Sequence, residues 1–346
     1  MVDADAETRA PPVHDRMKAA YYERYGPPEV VEIREVERST PTADEVLVRV
    51  RAASVNRADL DGLKPKPGFM RLFMGLRAPR SHEVGIDAAG VVEAVGPDVT
   101  RFRPGDEVMT DLFAAGRFGA FAEYVCAREK AFEPVPSGMS FEEAATLPHS
   151  AVLALQGMRL RDGRTFKRGD HVLIDGASGN VGPFAVQIAK AMGAEVTGVA
   201  RGDKLDFVRS LGADHAIDYQ KVNYTKARER YDWIVAVDAH HPIRAVRRAL
   251  KPNGVYVTMG GDTGTILAAV GGSLLMSRFG DKWSGLMLWW KPMHRPDVDT
   301  LKELIAAGKL KPVIDRRFGL SEVVDALRHV EEGRAKGKVV IDMGLR

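Results

Sequence analysis

The feature that most constrains this chain is the run VLIDGASGNVGPFAVQIAKAMGAEVTGVA, residues 172–200. An apolar strand leads into glycines at 176, 179 and 182, and an apolar helix leads out, followed by a second strand. That context reads the glycine spacing as a dinucleotide fingerprint rather than a plain turn. Each glycine answers a physical need. One permits the tight turn, one lets the backbone approach a pyrophosphate, and one lets the helix pack close to the strand. The amides at the helix start and the helix dipole then meet the anion. Gly176, Ala177, Ser178, Gly179, Asn180, Val181 and Gly182 are therefore the candidate pyrophosphate turn. Asn180 tolerates a left-handed backbone, and Pro183 supplies a fixed φ at the helix entrance.

A turn that prefers NAD places Asp or Glu about 20 residues on, at the end of the second strand, to accept from the ribose 2′-hydroxyl. Here that strand ends GVARGDK, with Arg201 in the place of the acid and Lys204 close behind. A carboxylate there would repel a 2′-phosphate, whereas Arg and Lys bind one through charge-assisted hydrogen bonds. NADP(H) is the expected cofactor. Asp203 is the competing residue, since a small loop shift would put it on the ribose.

Around this unit the chain divides. Residues 17–140 alternate as strands do, with Gly and Pro turns between EVLVRVRAASVN, GIDAAGVVEAVGPDV, RFRPGDEVMT and GAFAEYVCARE. A twisted, partly closed antiparallel sheet is expected there. From residue 141 the pattern changes. Ser140 and Glu143 form a capping box before SFEEAATLPHSAVLALQGMRL. Short apolar strands then alternate with helices, which makes parallel βαβ units and a doubly wound sheet. The last fifty residues hold two helices and a closing strand, GKVVIDM, expected to return to the first domain. Residues 1–16 read as a solvated tail without the apolar core of a secretory signal.

VLIDGASGNVGPFAVQIAKAMGAEVTGVA, VRSLGADHAIDY, AASVNRAD, GIDAAGVVEAVG, RFRPGDEV, GAFAEYV and GKVVI stand in one order along residues 17–343. In this the chain resembles the medium-chain dehydrogenase/reductase superfamily, in its zinc-independent quinone oxidoreductase branch. The resemblance implies an α/β protein with a GroES-like β-barrel catalytic domain (17–140 and 297–346) and a Rossmann cofactor-binding domain (141–296) inserted into it. It also implies a homodimer, and a part for Tyr219 in holding the adenosine 2′-phosphate. The family more often has Gly where this chain has Asn180.

The zinc-dependent relatives hold their metal with Cys, His and Cys or an acid. In SVNRAD, Asn56 stands in the place of the first Cys, and in GIDAAG, Ile86 stands in the place of His. With one cysteine, Cys126, no four-cysteine lobe and no internal disulfide can form. His82-Glu83 lie too early in the pattern and read as loop residues, as do His240 and His241; Cys126 reads as a small core residue. No metal is expected.

Without a Lewis acid, oxidising a simple alcohol is poorly supported. Hydride delivery to a quinone or an α,β-unsaturated carbonyl is easier, because the resulting charge spreads onto an oxygen that needs only hydrogen-bond donors. Asn56 is the candidate catalytic donor to that oxygen, with Asp59 capping the helix that follows. No tyrosine or lysine stands out as proton donor, which leaves water. The pocket wall is expected from Phe69, Met70, Phe73 and Met74 and from Leu288, Trp289 and Trp290, since apolar walls suit ring and enone substrates. Two other readings stay open: a metal-free NADP-dependent alcohol or aldehyde dehydrogenase, and a nucleotide-binding protein with little catalysis. A net charge of +3 spread along 346 residues gives no basic stripe, so no nucleic-acid partner is expected. The longest charge-free apolar segment, residues 263–277, is too short to span a bilayer. A cytoplasmic location is expected.

Overall fold

The computed structural model describes residues 16–65, 68, 71–261, 264–269 and 281–344. The terminal tail, Phe69, Met70, the side chain of Phe73 and most of the apolar segment 263–277 lie outside the described residues.

The chain opens with β1 (Arg16–Tyr21) and β2 (Glu32–Glu37), paired antiparallel. There follow β3 (Glu45–Val55), α1 (Arg57–Leu63), α2 (Arg71–Met74), β4 (Asp87–Val95), β5 (Glu107–Asp111), β6 (Tyr124–Arg128) and β7 (Phe132–Pro134). Next come α3 (Phe141–Ala144), α4 (Ser150–Gly157), β8 (His171–Asp175), α5 (Gly182–Ala191), β9 (Glu195–Ala200), α6 (Leu205–Ser210) and β10 (His215–Asp218). The remainder is β11 (Tyr231–Ala236), α7 (Ile243–Ala249), β12 (Leu250–Thr258), β13 (Trp283–Leu286), α8 (Arg295–Ala306), β14 (Ile314–Gly319), α9 (Val323–Glu331) and β15 (Lys338–Asp342).

The long strand β3 organises the first sheet, of order β14-β15-β3-β4-β5-β7, with β6 also paired to β3. It is largely buried along its length, as EVLVRVRAASV requires. The chain end returns to it, since β15 runs antiparallel to β3 with Val339 beside Val55. β14, parallel to β15, was not legible in the sequence, because IDRRFG carries charges at its centre and no period-2 apolar face.

The second sheet has the order β10-β9-β8-β11-β12-β13, and every pairing in it is parallel. Its central strands are apolar on both faces because helices cover both, so HVLID is buried from His171 to Ile174. The strand order reverses between β8 and β11. In such sheets the crevice beyond the C-terminal ends of the strands at the reversal receives a ligand. The edge strand β13 is four residues, WSGL, too short to show a period.

The capping box forms as read: the Ser140 hydroxyl accepts from the Glu143 N–H at 3.2 Å, and Glu143 Oε2 accepts from the Ser140 N–H at 3.0 Å. The helix it starts is short, however. Pro148 lies in the break between α3 and α4, consistent with the residue's missing donor. One apolar core, joining Leu147, Val152, Ile174 and Phe184 to Ala52, Ala89 and Val340, spans both sheets. No helix among the described residues is long and apolar enough to cross a membrane.

Candidate functional site

The glycine turn stands at the junction of the two sheets. Gly176 follows β8 with a φ of +87° beside Val237, at the end of β11, so the turn occupies the crevice where the strand order reverses. Gly182 opens α5 against the turn; a Cβ there would meet the Gly176 carbonyl oxygen at 2.2 Å. Gly179 differs. A Cβ there would find only the Gly176 oxygen, at 3.8 Å, and otherwise open space. Internal packing therefore requires Gly182, while the open space at Gly179 leaves room for a group from outside the chain. A pyrophosphate approaching the backbone is such a group, so the turn fits a dinucleotide. Asn180 is not left-handed, so the turn does not call on the tolerance read from its sequence. Its amide instead donates to the Val55 carbonyl at 3.0 Å and ties the turn to the end of β3. Gly337, just before β15, donates to the Ser178 carbonyl at 3.1 Å.

The loop after β9 separates the two cations. Arg201 is half-exposed, and its guanidinium meets Asp203 through Nε at 2.6 Å and a terminal nitrogen at 3.0 Å. That hydrogen bond holds the Asp203 carboxyl at about 2. Tyr219, exposed, lies close enough to act on the Arg201 charge. Lys204 does not join them. It is buried, and its ammonium donates to the carbonyls of Gly333 at 2.8 Å and Ala335 at 2.5 Å. The sequence shows a basic residue near the ribose site; only the fold shows that this one is spent on latching the loop to the other lobe.

At the end of β3 lies a polar cluster that is almost completely buried. Asn56 is 1% exposed. Its amide nitrogen donates to Asp87 at 2.8 Å and to the Ser54 carbonyl at 3.3 Å; its oxygen accepts from Lys338 at 2.6 Å and Ser150 at 3.0 Å. A carboxylate accepts and an ammonium only donates, so these partners fix the amide orientation. Both Asn56 hydrogens are used inside the protein. Asn56 is thus a bridge between Asp87 and Lys338, and the direct donor role read from its position has no hydrogen left to perform it. Burial drives the Lys338 pKa down, opposed by Asp87 and Asp59. Burial likewise raises Asp87, to about 6, against the pull of Lys338. Asp59 accepts from the Asn56 backbone N–H at 2.7 Å at the start of α1, in the capping role read for it. Its other oxygen has no partner among the described residues, and burial pushes it to about 8.

The same cluster continues to His149. Its Nδ1 lies 3.0 Å from Asp111, and its backbone N–H donates to Asp87 at 3.1 Å. Burial opposes charge on this imidazole, but Asp111 and Asp87 outweigh it and raise its pKa. Trp290 meets the His149 ring edge-on at 5.1 Å and tilts onto Phe113 at 5.3 Å; Trp289 packs on Trp283 at 5.6 Å. The indole N–H groups of Trp289 and Trp290 are buried without acceptors among the described residues. Leu288 is 72% exposed and Met74 half-buried, so neither closes a wall on its own. The sequence did not mark His149, Asp111, Ser150, Asp87 or Lys338, because the start of α4 meets the ends of β4, β5 and β15 only in the fold.

His82, His240, His241 and Cys126 have ordinary surroundings. His82 Nδ1 bonds the Tyr22 carbonyl at 2.9 Å and stacks on Tyr21, while burial raises the Glu83 pKa. His240 pairs with Asp238 at 3.2 Å, and His241 sits edge-on to Tyr224. Cys126 is buried, which pushes its thiol to about 11.

Residues 42–137 match the alcohol dehydrogenase GroES-like domain, and residues 211–341 match a model described as zinc-binding dehydrogenase. The chain is 32% identical to 2-methylene-furan-3-one reductase of Solanum lycopersicum, across 95% of this chain and 80% of that protein. It is 31% identical to the chloroplastic NADPH-dependent alkenal/one oxidoreductase of Arabidopsis thaliana, across 98% and 82%. Among solved structures, the quinone oxidoreductase from Coxiella burnetii superposes with a TM-score of 0.81 at 28% identity, covering 95% of this chain and 99% of that one. The zinc in the second model's description finds no fit at the end of β3. Asn56 is occupied, Ile86 offers no lone pair, and the Lys338 ammonium already places a positive charge there.

Proposed function

Because this chain belongs to the medium-chain dehydrogenase/reductase superfamily, in its zinc-independent quinone oxidoreductase-like branch, we propose that it uses NADPH to reduce a quinone or an α,β-unsaturated carbonyl without a metal. It is a nicotinamide-dependent oxidoreductase. The relatives named for alkenal/one and quinone reduction support the acceptor class. The observation that carries the reading is the Lys338–Asn56 contact at 2.6 Å, a buried ammonium in the polar cluster at the end of β3. Without a Lewis acid to polarise an alcohol oxygen, a conjugated acceptor is the substrate such a site can serve.

The cofactor, when bound, supplies the hydride. The chain does the rest. Amides from Gly176 to Gly182 and the start of α5 hold the pyrophosphate. Arg201, released from Asp203, takes the 2′-phosphate with Tyr219 beside it. Phe113, Trp289 and Trp290 exclude water from the acceptor. His149, oriented by Asp111 through Nδ1, supplies the proton that must accompany the hydride. Asn56 and Lys338 hold the floor of the cleft in place. The same reading includes the homodimer that the family resemblance implies, which sedimentation of the purified chain tests.

The deciding experiment follows NADPH oxidation with quinones, enones and aldehydes, before and after exhaustive chelation. Turnover of quinones or enones that survives chelation supports the proposal. Turnover confined to aldehydes, or tight NADPH binding with no acceptor reduced, defeats it.

A further inference from the structure

At the opposite end of the cofactor sheet from the glycine turn, three side chains converge that the reduction chemistry does not use. His171, Glu195 and His215 are the first residues of β8, β9 and β10. Parallel pairing sets His171 beside Glu195 and His215 beside Thr197. Glu195 and Thr197 are two apart on one strand and so share a face. All four side chains therefore stand on the same side of the sheet. β8 runs from this cluster to the turn, about 17 Å from His171 to Gly176 at the usual strand rise.

We propose that His171, Glu195 and His215 bind a first-row divalent cation of the zinc type. His171 Nε2, one Glu195 oxygen and His215 Nε2 all lie within 4.8 Å of one another. The His215–Glu195 separation is 2.7 Å and the His171–Glu195 separation 4.0 Å. Ligands on a tetrahedral zinc with bonds near 2.0–2.1 Å lie about 3.3 Å apart. One contact must open and the other close by about 0.6–0.7 Å, which side-chain torsions of the exposed Glu195 and His215 absorb. Two imidazoles and a carboxylate are a donor set that suits zinc and leave the fourth position to water.

The surroundings favour ligation over a simple ion pair. His171 is buried with its ring edge against Tyr231 at 4.9 Å, so one ligand is already held. Thr197 Oγ1 lies 2.8 Å from His171 Nε2, a contact that the cation displaces when it takes this nitrogen. Lys251, a cation on the flank, is neutralised by Asp232 at 2.7 Å; Arg230 is the other cation acting on His171.

The test titrates zinc into chelator-treated full-length protein by calorimetry, with cobalt absorption as a geometric readout. The unaltered chain is expected to take up one zinc in the micromolar range and to give the intense visible bands of tetrahedral cobalt. His215→Ala and, separately, Glu195→Gln are expected to weaken zinc by roughly tenfold or more, with NADPH turnover unchanged. Both sites are exposed, so both variants keep the fold. No uptake by the unaltered chain, or equal uptake by both variants, overturns the proposal and leaves the reductase reading untouched.

Discussion

Lys338 Nζ stands 2.6 Å from Asn56 Oδ1 and 3.6 Å from Asp87 Oδ2, and all three side chains are sealed from solvent. The contact joins the first residue of the last strand to the end of β3, 282 positions earlier. It sets a cationic side chain against a fully buried carboxylate. Lys338→Met is therefore expected to cost about 3–5 kcal/mol in urea unfolding, the usual result of stranding one partner of a buried pair. Adding Asp87→Asn removes the stranded charge and is expected to restore much of that loss. Strictly additive losses in the double variant would show that the two side chains do not act as a pair.

The turn separates binding from folding. Gly179→Ala puts a methyl into open space at a backbone without positive φ. Its thermal midpoint is expected to stay near that of the parent while dinucleotide affinity falls at least tenfold in fluorescence titration. Gly182→Ala drives a methyl to 2.2 Å from the Gly176 carbonyl. It is expected to destabilise the protein by about 1–3 kcal/mol, as overpacking does. If both variants lost stability alike, the open space at Gly179 would have no link to a ligand.

Much of this was legible beforehand, and for local reasons. The glycine turn, the parallel strands and the capping box at Ser140 are set by residues close in sequence, where period and spacing carry the signal. The cluster of Asn56, Asp87, His149, Ser150 and Lys338 was not, because its members come from four separate stretches and no spacing links those stretches. Lys204 illustrates the remaining gap. Its charge was visible, but its burial against the carbonyls of Gly333 and Ala335 depends on how the chain end folds back. The strand β14 escaped for a third reason: Asp315, Arg316 and Arg317 stand at its centre, and it has no alternating apolar face.

The 2′-phosphate reading turns on Arg201 alone among the cations near that loop. Arg201→Ala is expected to weaken NADPH on the order of tenfold or more, and NADH far less, since charge-assisted bonds to a phosphate are lost. Asp203→Ala frees the guanidinium from its 2.6 Å partner. It is expected to tighten NADPH, with the gain shrinking as salt rises. Equal losses for both cofactors in Arg201→Ala would remove the basis for NADPH preference.

His149 ties turnover to pH. Its raised pKa, set by Asp111 and Asp87 against burial, keeps the imidazole protonated above its ordinary range near 6.5. A donor of this kind is active below that raised value and lost as pH climbs through it. The kcat profile is expected to show one alkaline limb. His149→Gln is expected to lower kcat about a hundredfold and erase the limb. Asp111→Asn is expected to move the limb to lower pH, because the partner that raises the imidazole is gone. A limb that stays in place in Asp111→Asn would assign the proton to another group or to water.

Asp59 makes the fold itself sensitive to pH. Its carboxyl is fully buried with one oxygen unpartnered among the described residues, and burial lifts it from 3.8 to about 8. The folded protein therefore binds a proton there that the unfolded chain releases near its ordinary value. Stability from this group is complete below the unfolded pKa and is lost as pH rises through the folded one. Between pH 3.8 and about 8 the loss reaches at most about 1.4 kcal/mol per pH unit. Asp87, raised to about 6, adds to the same slope. Asp59→Asn keeps an oxygen to accept from the Asn56 N–H and carries no titrating proton. The variant is expected to hold its thermal midpoint better than the parent from pH 6 to 9, with the residual slope from Asp87 still present. Parallel curves for the two proteins would mean that Asp59 reaches solvent in solution and ionises at no cost.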